Sequence, residues 1–385
     1  MIKYNNINIY YYYITMNPTL KTVSEENDIY KFTLSNINVS LANALRRTIL
    51  SDIETVVFYT ETYEDNKCNI EVNTSRLHNE IIKQRLSCIP IHIKNLELLP
   101  DKYILELSVV NDTDNVIYVT TEDFKIRNKT TNNYLTDNER RSIFPPNHKT
   151  QSYIDLVRLR PKIGEYIPGE QLSLTCDFSI SSAGVNSMFN VVSICTYCNT
   201  PDLPRIEDSW KIQEEAQLLA SENSRDEIEI QKRNFYILDS QRIFIPDSFD
   251  FTIQTIGIFE NKEIVYKACI ILHNKFVDII EKVQSDTVPI TTGSTTIDNC
   301  FDIILENEDY TVGKVIEYIL YEKYYKGQQT LTYCGFKKFH PHNTESIIRI
   351  AFINPVDKTV VRDYFQNVCV DAGNIFQTLS KHFSS

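Results

Sequence analysis

Glycine is scarce in this chain of 385 residues: there are nine, fewer than the thirteen prolines. A phosphate-cradling loop needs closely spaced glycines, and no such loop is present. There is also no H-E-x-x-H pair, which excludes the metalloprotease helix that binds zinc through two histidines. No apolar run approaches the roughly 18–20 residues that a membrane-spanning helix requires. The opening stretch, MIKYNNINIYYYYITM, lacks an unbroken apolar centre and a small-residue cleavage site, so it is a poor signal peptide. Met16 is a candidate internal start, with the tyrosine cluster before it a dispensable tail. Positive charge is in deficit, with 39 Lys and Arg against 51 Asp and Glu and a net charge of −12. Broad-surface binding to nucleic acid is driven by Lys and Arg, so the chain is expected to make little direct nucleic-acid contact. The nine cysteines are odd in number and irregularly spaced, which is no disulfide framework and suits a reducing, intracellular compartment.

What the chain has in quantity is Tyr and Phe, 23 and 19 residues, which favour strands and packed surfaces. IYKFTLSNIN (29–38) alternates as a strand does, and Ser40 is placed to cap a following helix. On that helix Leu41, Ala44, Leu45, Thr48 and Ile49 form one apolar stripe, while Asn43, Arg46 and Arg47 face away from its centre. DIETVVFYTETY reads as extended. RLHNEIIKQRLSC reads as a helix closed by Pro90. Short β-like runs such as YILELSVV, NVIYVTT and QLSLTCDFSI then follow, to about Tyr197.

Residues 201–233 are polar and acidic, a helical or irregular surface excursion. FDFTIQTIGIF (249–259) returns as strand. The next stretch is a long helix with Val265, Ala268, Leu272, Phe276, Ile279 and Val283 on one side. QSDTVPITTGSTT (284–296) has linker composition. After it come a strand, CFDIILE, and a helix carrying Val312, Val315, Ile316, Ile319 and Leu320, ending near Gly327. Two strands and a final helix with Val361, Tyr364, Phe365, Val368, Ala372, Ile375, Phe376 and Leu379 complete the chain.

SLANALRRTIL (40–50) and TVGKVIEYIL (311–320) align without a gap: Leu41 with Val312, Ala42 with Gly313, Ala44 with Val315, Leu45 with Ile316, Ile49 with Leu320. Ala42 and Gly313 are small enough for close backbone approach. Each helix follows a strand, and each half ends in a long amphipathic helix. The expected fold is therefore α+β: two related α/β dimerisation units packed as an intramolecular pseudo-dimer, the first interrupted by a β-rich domain. The expected divisions are an N-terminal extension at 1–27, a first dimerisation domain at 28–90 and 249–283, and a β-rich insert at 91–200. An acidic excursion at 201–248, a linker at 284–296 and a second dimerisation domain at 297–385 follow. The expected interface between halves is Leu41, Ala44, Leu45, Ile49, Val312, Val315, Ile316, Ile319, Leu320, Tyr364, Phe365 and Val368.

Two constellations invite chemistry. Cys195-x-x-Cys198 could begin a zinc or iron–sulfur site or form a redox pair, but closed zinc sites use four ligands and no second C-x-x-C exists, so buried or unpaired thiols are the favoured reading. Cys334 with His340 could be a thiol nucleophile and its base; Pro341 and Asn343 favour a turn between strands instead. No catalytic residue, metal or cofactor is expected.

ANALRR (42–47) followed by ILSDIETVVF closely resembles the dimerisation motif of the assembly-platform subunits of multisubunit DNA-directed RNA polymerases. These are the bacterial alpha subunit, the archaeal D subunit and the third subunit of eukaryotic polymerase II. RLHNEIIKQRLSCIPIHI resembles the next segment of that family, with His78, Glu80, Arg85, Leu86 and Pro90 in place. LVRLRPKIGEYIPGEQLSL resembles the strand pair of the inserted domain. FTIQTIGIF resembles the returning strand, with Gln254 where the family usually has Glu. Residues 308–314 and CGFKKFHPH (334–342) resemble the small partner, the archaeal L subunit and the eleventh subunit of polymerase II, with Tyr310 for His and Lys314 for Asn. Both partners in one chain resemble the fused arrangement of large cytoplasmic DNA viruses.

The resemblance implies a scaffold for two large catalytic subunits and small assembly subunits, with Asn43, Arg46, Arg47 and Arg85 docking a large subunit. The Asp-rich metal loop of polymerase catalytic subunits is missing here, so nucleotide chemistry would sit on those partners. A viral origin would place the protein in the host cytoplasm, at a viral factory, and in the virion. The alternatives are a free-standing homodimerising protein of the same fold and, for the arginines, a merely solvated helix face.

Overall fold

The computed structural model describes residues 17–220 and 225–384. Met16 and the tyrosine cluster before it lie outside the described residues, as does 221–224 of the acidic segment. In chain order the elements are β1 (Thr19–Glu26), β2 (Ile29–Ser35), α1 (Val39–Ser51), β3 (Glu54–Phe58), β4 (Cys68–Asn73), α2 (Asn79–Ser87), β5 (Tyr103–Val110), β6 (Ile117–Thr120) and β7 (Lys125–Asn128). There follow α3 (Asp137–Ile143), β8 (Asp155–Leu159), β9 (Gln171–Ser182), β10 (Val192–Pro201), α4 (Leu203–Ala220), α5 (Arg225–Ile237), β11 (Phe244–Thr255) and α6 (Asn261–Gln284). The last are β12 (Ile290–Thr292), β13 (Cys300–Glu306), α7 (Tyr310–Leu320), β14 (Leu331–Lys337), β15 (Glu345–Phe352) and α8 (Lys358–Ser380). They divide into two compact units. One holds the chain up to Thr48, Cys195–Ile253 and everything from Val265; the other holds Ile49–Ile194 and Gln254–Ile264.

The first unit repeats itself. Its two four-stranded sheets have the orders β1-β2-β11-β10 and β12-β13-β15-β14. Each is built from two strands, a helix, two more strands and a long helix. Thr33 on β2 and Thr200 on β10 both donate to the Asp250 carboxylate on β11, at 2.7 and 2.9 Å, consistent with β11 lying between them. α1 and α7 begin alike. The Asn38 side chain accepts from the Ser40 N–H at 2.9 Å, and the Asp309 side chain accepts from the Thr311 N–H at 2.8 Å. Asn38, rather than Ser40, is therefore the cap of α1, satisfying an amide that the helix leaves unpaired.

The long helices also correspond at one constant offset. Val265, Ala268, Leu272, Phe276 and Ile279 on α6 match Phe365, Val368, Ala372, Phe376 and Leu379 on α8, and all ten are buried. Equivalent residues meet: Phe276 and Phe376 stack with centroids 6.0 Å apart, and His273 Nδ1 donates to the Gly373 carbonyl at 3.0 Å.

Two strands occur where composition suggests none. β1 pairs with β2 from Thr19↔Ser35 to Glu26↔Ile29, inside the expected N-terminal extension. β12 pairs with β13 from Ile290↔Ile303 to Thr292↔Phe301, inside the expected linker. Both are outermost strands, which need ladder bonds on one side only and tolerate the polar, Thr-rich sequence of a linker. Between β10 and β11, α4 and α5 form a helical pair over a small core of Ile206, Trp210, Ile228 and Phe235. The acidic excursion is thus largely helical.

The second unit is organised by β9, a twelve-residue strand with β5 on one side. On its other side β3 pairs with residues 178–182 and β4 with residues 172–176. Residues 49–90, assigned from sequence to the first dimerisation domain, therefore sit mainly with the β-rich unit: β9 is long enough to pair both strands. Four phenylalanines fill its centre, with Phe124 edge-on to Phe58 at 6.4 Å and to Phe144 at 5.1 Å, and Phe178 5.2 Å from Phe58. Gly169 allows a chain crossing, because a Cβ there would lie 1.7 Å from the Asn111 carbonyl oxygen. The next residue, Glu170, is buried and accepts from both the backbone N–H and the guanidinium of Arg160.

Candidate functional site

The two helices singled out by their sequences lie side by side in the first unit. Leu41, Ala44, Leu45 and Ile49 on α1 are buried, as are Val312, Val315, Ile316, Ile319 and Leu320 on α7. Arg47 connects the helices. Its Nε donates to the Thr311 hydroxyl at 2.7 Å, and its guanidinium forms an ion pair with Asp309, the α7 cap. Burial of Asp309 opposes its ionisation. Hydrogen bonds from Thr311, with the charge and hydrogen bond of Arg47, outweigh that and hold its pKa below the usual carboxylate value. At the other end, Ser40 of α1 lines an open cavity of about 210 Å³ together with Lys314, Glu317, Tyr318, Tyr321 and Cys334. The end of α1 is thus near the start of α7, and the start of α1 near the end of α7: the helices run antiparallel.

The half-buried polar residues of each helix form matched pairs one turn apart. Arg46 donates to the Asn43 side-chain oxygen through Nε and Nη2, at 3.2 and 3.0 Å. At the equivalent positions on α7, the Lys314 ammonium reaches the Glu317 carboxylate at 2.5 Å. Such pairs, three residues apart, are spaced to interact on a helix surface. Arg85 belongs to the other unit. It is exposed on α2 and donates to the Asp155 carbonyl at 2.9 Å.

Several residues serve ends other than those their sequence context suggested. Gly313 does not seat a neighbouring backbone; the Phe336 ring covers it, so closely that an added Cβ would lie 2.1 Å from the ring. Tyr364 is half-buried against Tyr324 and Phe352, at 4.2 and 5.2 Å, both in its own half of the chain. Phe365 and Val368 are fully buried.

Cys195 is buried and Cys198 exposed, because residues three apart on a strand face opposite ways. Burial pushes the Cys195 thiol up to about 12, a value unsuited to a thiolate ligand or nucleophile. Cys334 is pushed up to about 11 by burial and by the charge of Glu317. His340 accepts from the His342 N–H at 3.2 Å within its own turn. The sequence shows a long amphipathic helix in each half, but the position-for-position match of α6 to α8 and the capping roles of Asn38 and Asp309 emerge only from the structure. The signal for the caps was available: Asn38 and Asp309 each stand two positions before Ser40 and Thr311, which the alignment had already matched.

Residues 31–276 match the family described as the RNA polymerase Rpb3/Rpb11 dimerisation domain. Subunit 3B of DNA-directed RNA polymerases IV and V from Arabidopsis thaliana is 42% identical over 74 residues, 19% of this chain and 21% of that protein. A conjugation stage-specific protein of Tetrahymena thermophila is 28% identical over 189 residues, 45% of this chain and 56% of that one. The DNA-directed RNA polymerase subunit Rpo3 of Pyrococcus furiosus is 36% identical over 107 residues, 26% of this chain and 37% of that subunit. The chain thus spans 21%, 56% and 37% of the length of these relatives.

Proposed function

The chain belongs to the RNA polymerase Rpb3/Rpb11 dimerisation-domain family, and from that premise we propose that it is a non-catalytic assembly subunit of a DNA-directed RNA polymerase. On this reading two related halves pair within one polypeptide and hold a platform on which two large catalytic subunits and small assembly subunits gather. Transcription chemistry, a nucleotidyl transfer, takes place on those partners.

The observation that carries the reading is reciprocity between α1 and α7. The offset that aligns the two helices sends Arg47 to Tyr318 and Thr311 to Ser40. Arg47 bonds Thr311, and Tyr318 shares a cavity with Ser40. When one residue meets a second and the equivalent of the second meets the equivalent of the first, the contact is isologous, as in a two-fold dimer. The matched sheet orders and the meeting of Phe276 with its counterpart Phe376 support the same pseudo-two-fold. Carrying both halves on one chain keeps each near the other at an effective concentration on the order of mM, so assembly need not wait for a diffusing partner. The fused arrangement is that of the viral form which the sequence resembles.

Within this reading the arginines divide their work. Arg47 joins the halves. Asn43 and Arg46, paired on α1, and Arg85, on the other unit, are the docking residues. The planar, permanently charged guanidinium suits carboxylates on a partner's surface. The test is affinity purification of the tagged full-length chain from cells that make it, with mass analysis of what accompanies it. Two very large chains, and their loss with Arg46→Glu, are the expected result. Recovery of the tagged protein alone, or as a homodimer, overturns the proposal in favour of a free-standing dimerising protein.

A further inference from the structure

Cys68 opens β4 and is the direct cross-strand partner of Cys176 on β9. The flanking Asp177 N–H donates to the Lys67 carbonyl at 3.1 Å, so residues 67 and 177 are the hydrogen-bonded pair. Cys68 and Cys176 therefore occupy a non-hydrogen-bonded position, where facing Cα atoms in an antiparallel ladder approach to about 4.5 Å. That lies inside the ~4.4–6.8 Å range that a disulfide spans without backbone movement. Both side chains point to the same face, into one apolar core, and both thiols are free.

We propose that Cys68 and Cys176 are a reversible oxidation site, closing as a cross-strand disulfide when the protein meets a small peroxide. The Cys68 thiolate attacks one peroxide oxygen, breaking the O–O bond to give a sulfenic acid and hydroxide. Cys176 sulfur then attacks the Cys68 sulfur, the S–O bond breaks, and water leaves. In sum two thiols are oxidised to one disulfide while hydrogen peroxide is reduced to two waters. The surroundings favour Cys68 as the first nucleophile. The facing Cys176 thiol and the Lys83 charge favour the Cys68 thiolate over the opposing effect of its burial, while Cys68, burial and Asp177 push the Cys176 thiol, which donates to the Asp177 carbonyl at 3.5 Å, the other way. Hydrogen peroxide is small and uncharged, which suits a pair with so little exposure.

The bridge would fasten β4 to β9 next to the turn-rich stretch 59–67. A sheet-edge strand is the part most ready to open locally, and oxidation would suppress that opening.

The test uses the full chain with the exposed Cys88 and Cys198 changed to Ser. The reduced protein is treated with hydrogen peroxide, quenched, alkylated in denaturant and digested without reductant. A Cys68–Cys176 linked peptide is the expected product, reversed by dithiothreitol, with slower hydrogen exchange of the β4 amides in the oxidised form. Cys68→Val, which keeps the site apolar, should abolish the linked peptide while leaving the circular dichroism spectrum unchanged. Recovery of Cys68 and Cys176 both alkylated after peroxide, or of either in a different linkage, overturns the proposal. That result leaves the polymerase reading untouched, since subunit capture is measured separately.

Discussion

Arg47 and Arg46 are adjacent, and the structure gives them opposite tasks. Arg47 reaches across to Thr311 and Asp309 on α7, whereas Arg46 pairs with Asn43 one turn back on its own helix. Arg47→Ala should therefore lower stability by about 1–2 kcal/mol, the loss of charge-assisted hydrogen bonds at a half-exposed site, measured by urea unfolding. Arg46→Glu should change stability by no more than about 0.5 kcal/mol and yet reduce capture of a large subunit. Unfolding by Arg46→Glu with capture intact would reverse the assignment. The same site sets an acid limit. Because Asp309 is more acidic folded than unfolded, its contribution is present above the ordinary carboxylate pKa of about 3.9 and is lost as pH falls through the folded value. Unfolding midpoints of wild type and Arg47→Ala should converge on that acid side; an unchanged gap would show that the ion pair contributes nothing.

At the scale of elements, α1 and α7 were legible because an amphipathic helix writes its buried face into the sequence at a period that survives divergence. The same holds for α6 and α8, whose stripes match position for position once both are known to be helices. β1 and β12 were not legible, since an outermost strand of three to eight residues needs no apolar alternation and these are polar. The allegiance of β3 and β4 was hidden for a different reason: it depends on the length of β9, about a hundred residues downstream. Gly313 could be read as a close approach but not as one made by an aromatic ring. Gly313→Ala should therefore cost about 1–3 kcal/mol through overpacking against Phe336, and Phe336→Leu in the same chain should recover part of it. Equal losses with and without the second change would place the clash elsewhere.

For the whole molecule, the question is whether the covalent connection or the buried faces hold the two halves together. α6 and β12 are joined by residues 285–289, a short stretch exposed at 285–287, and a protease site inserted there would cut the chain between its halves after it has folded. Leu45 and Ile316 are fully buried at equivalent positions on α1 and α7. If buried apolar surface is the dominant attraction, the cut chain should migrate as one particle in native chromatography, with both fragments appearing only in denaturant. Introducing Leu45→Asp or Ile316→Asp before cutting should release the fragments, because an unpaired carboxylate at such a position costs about 3–5 kcal/mol. Fragments of the unsubstituted chain that separate on cutting would mean that the tether, and not the paired helices, makes the platform. An assembly surface for large subunits would then have no rigid base, and the proposed division of labour between Arg46 and Arg47 would lose its foundation.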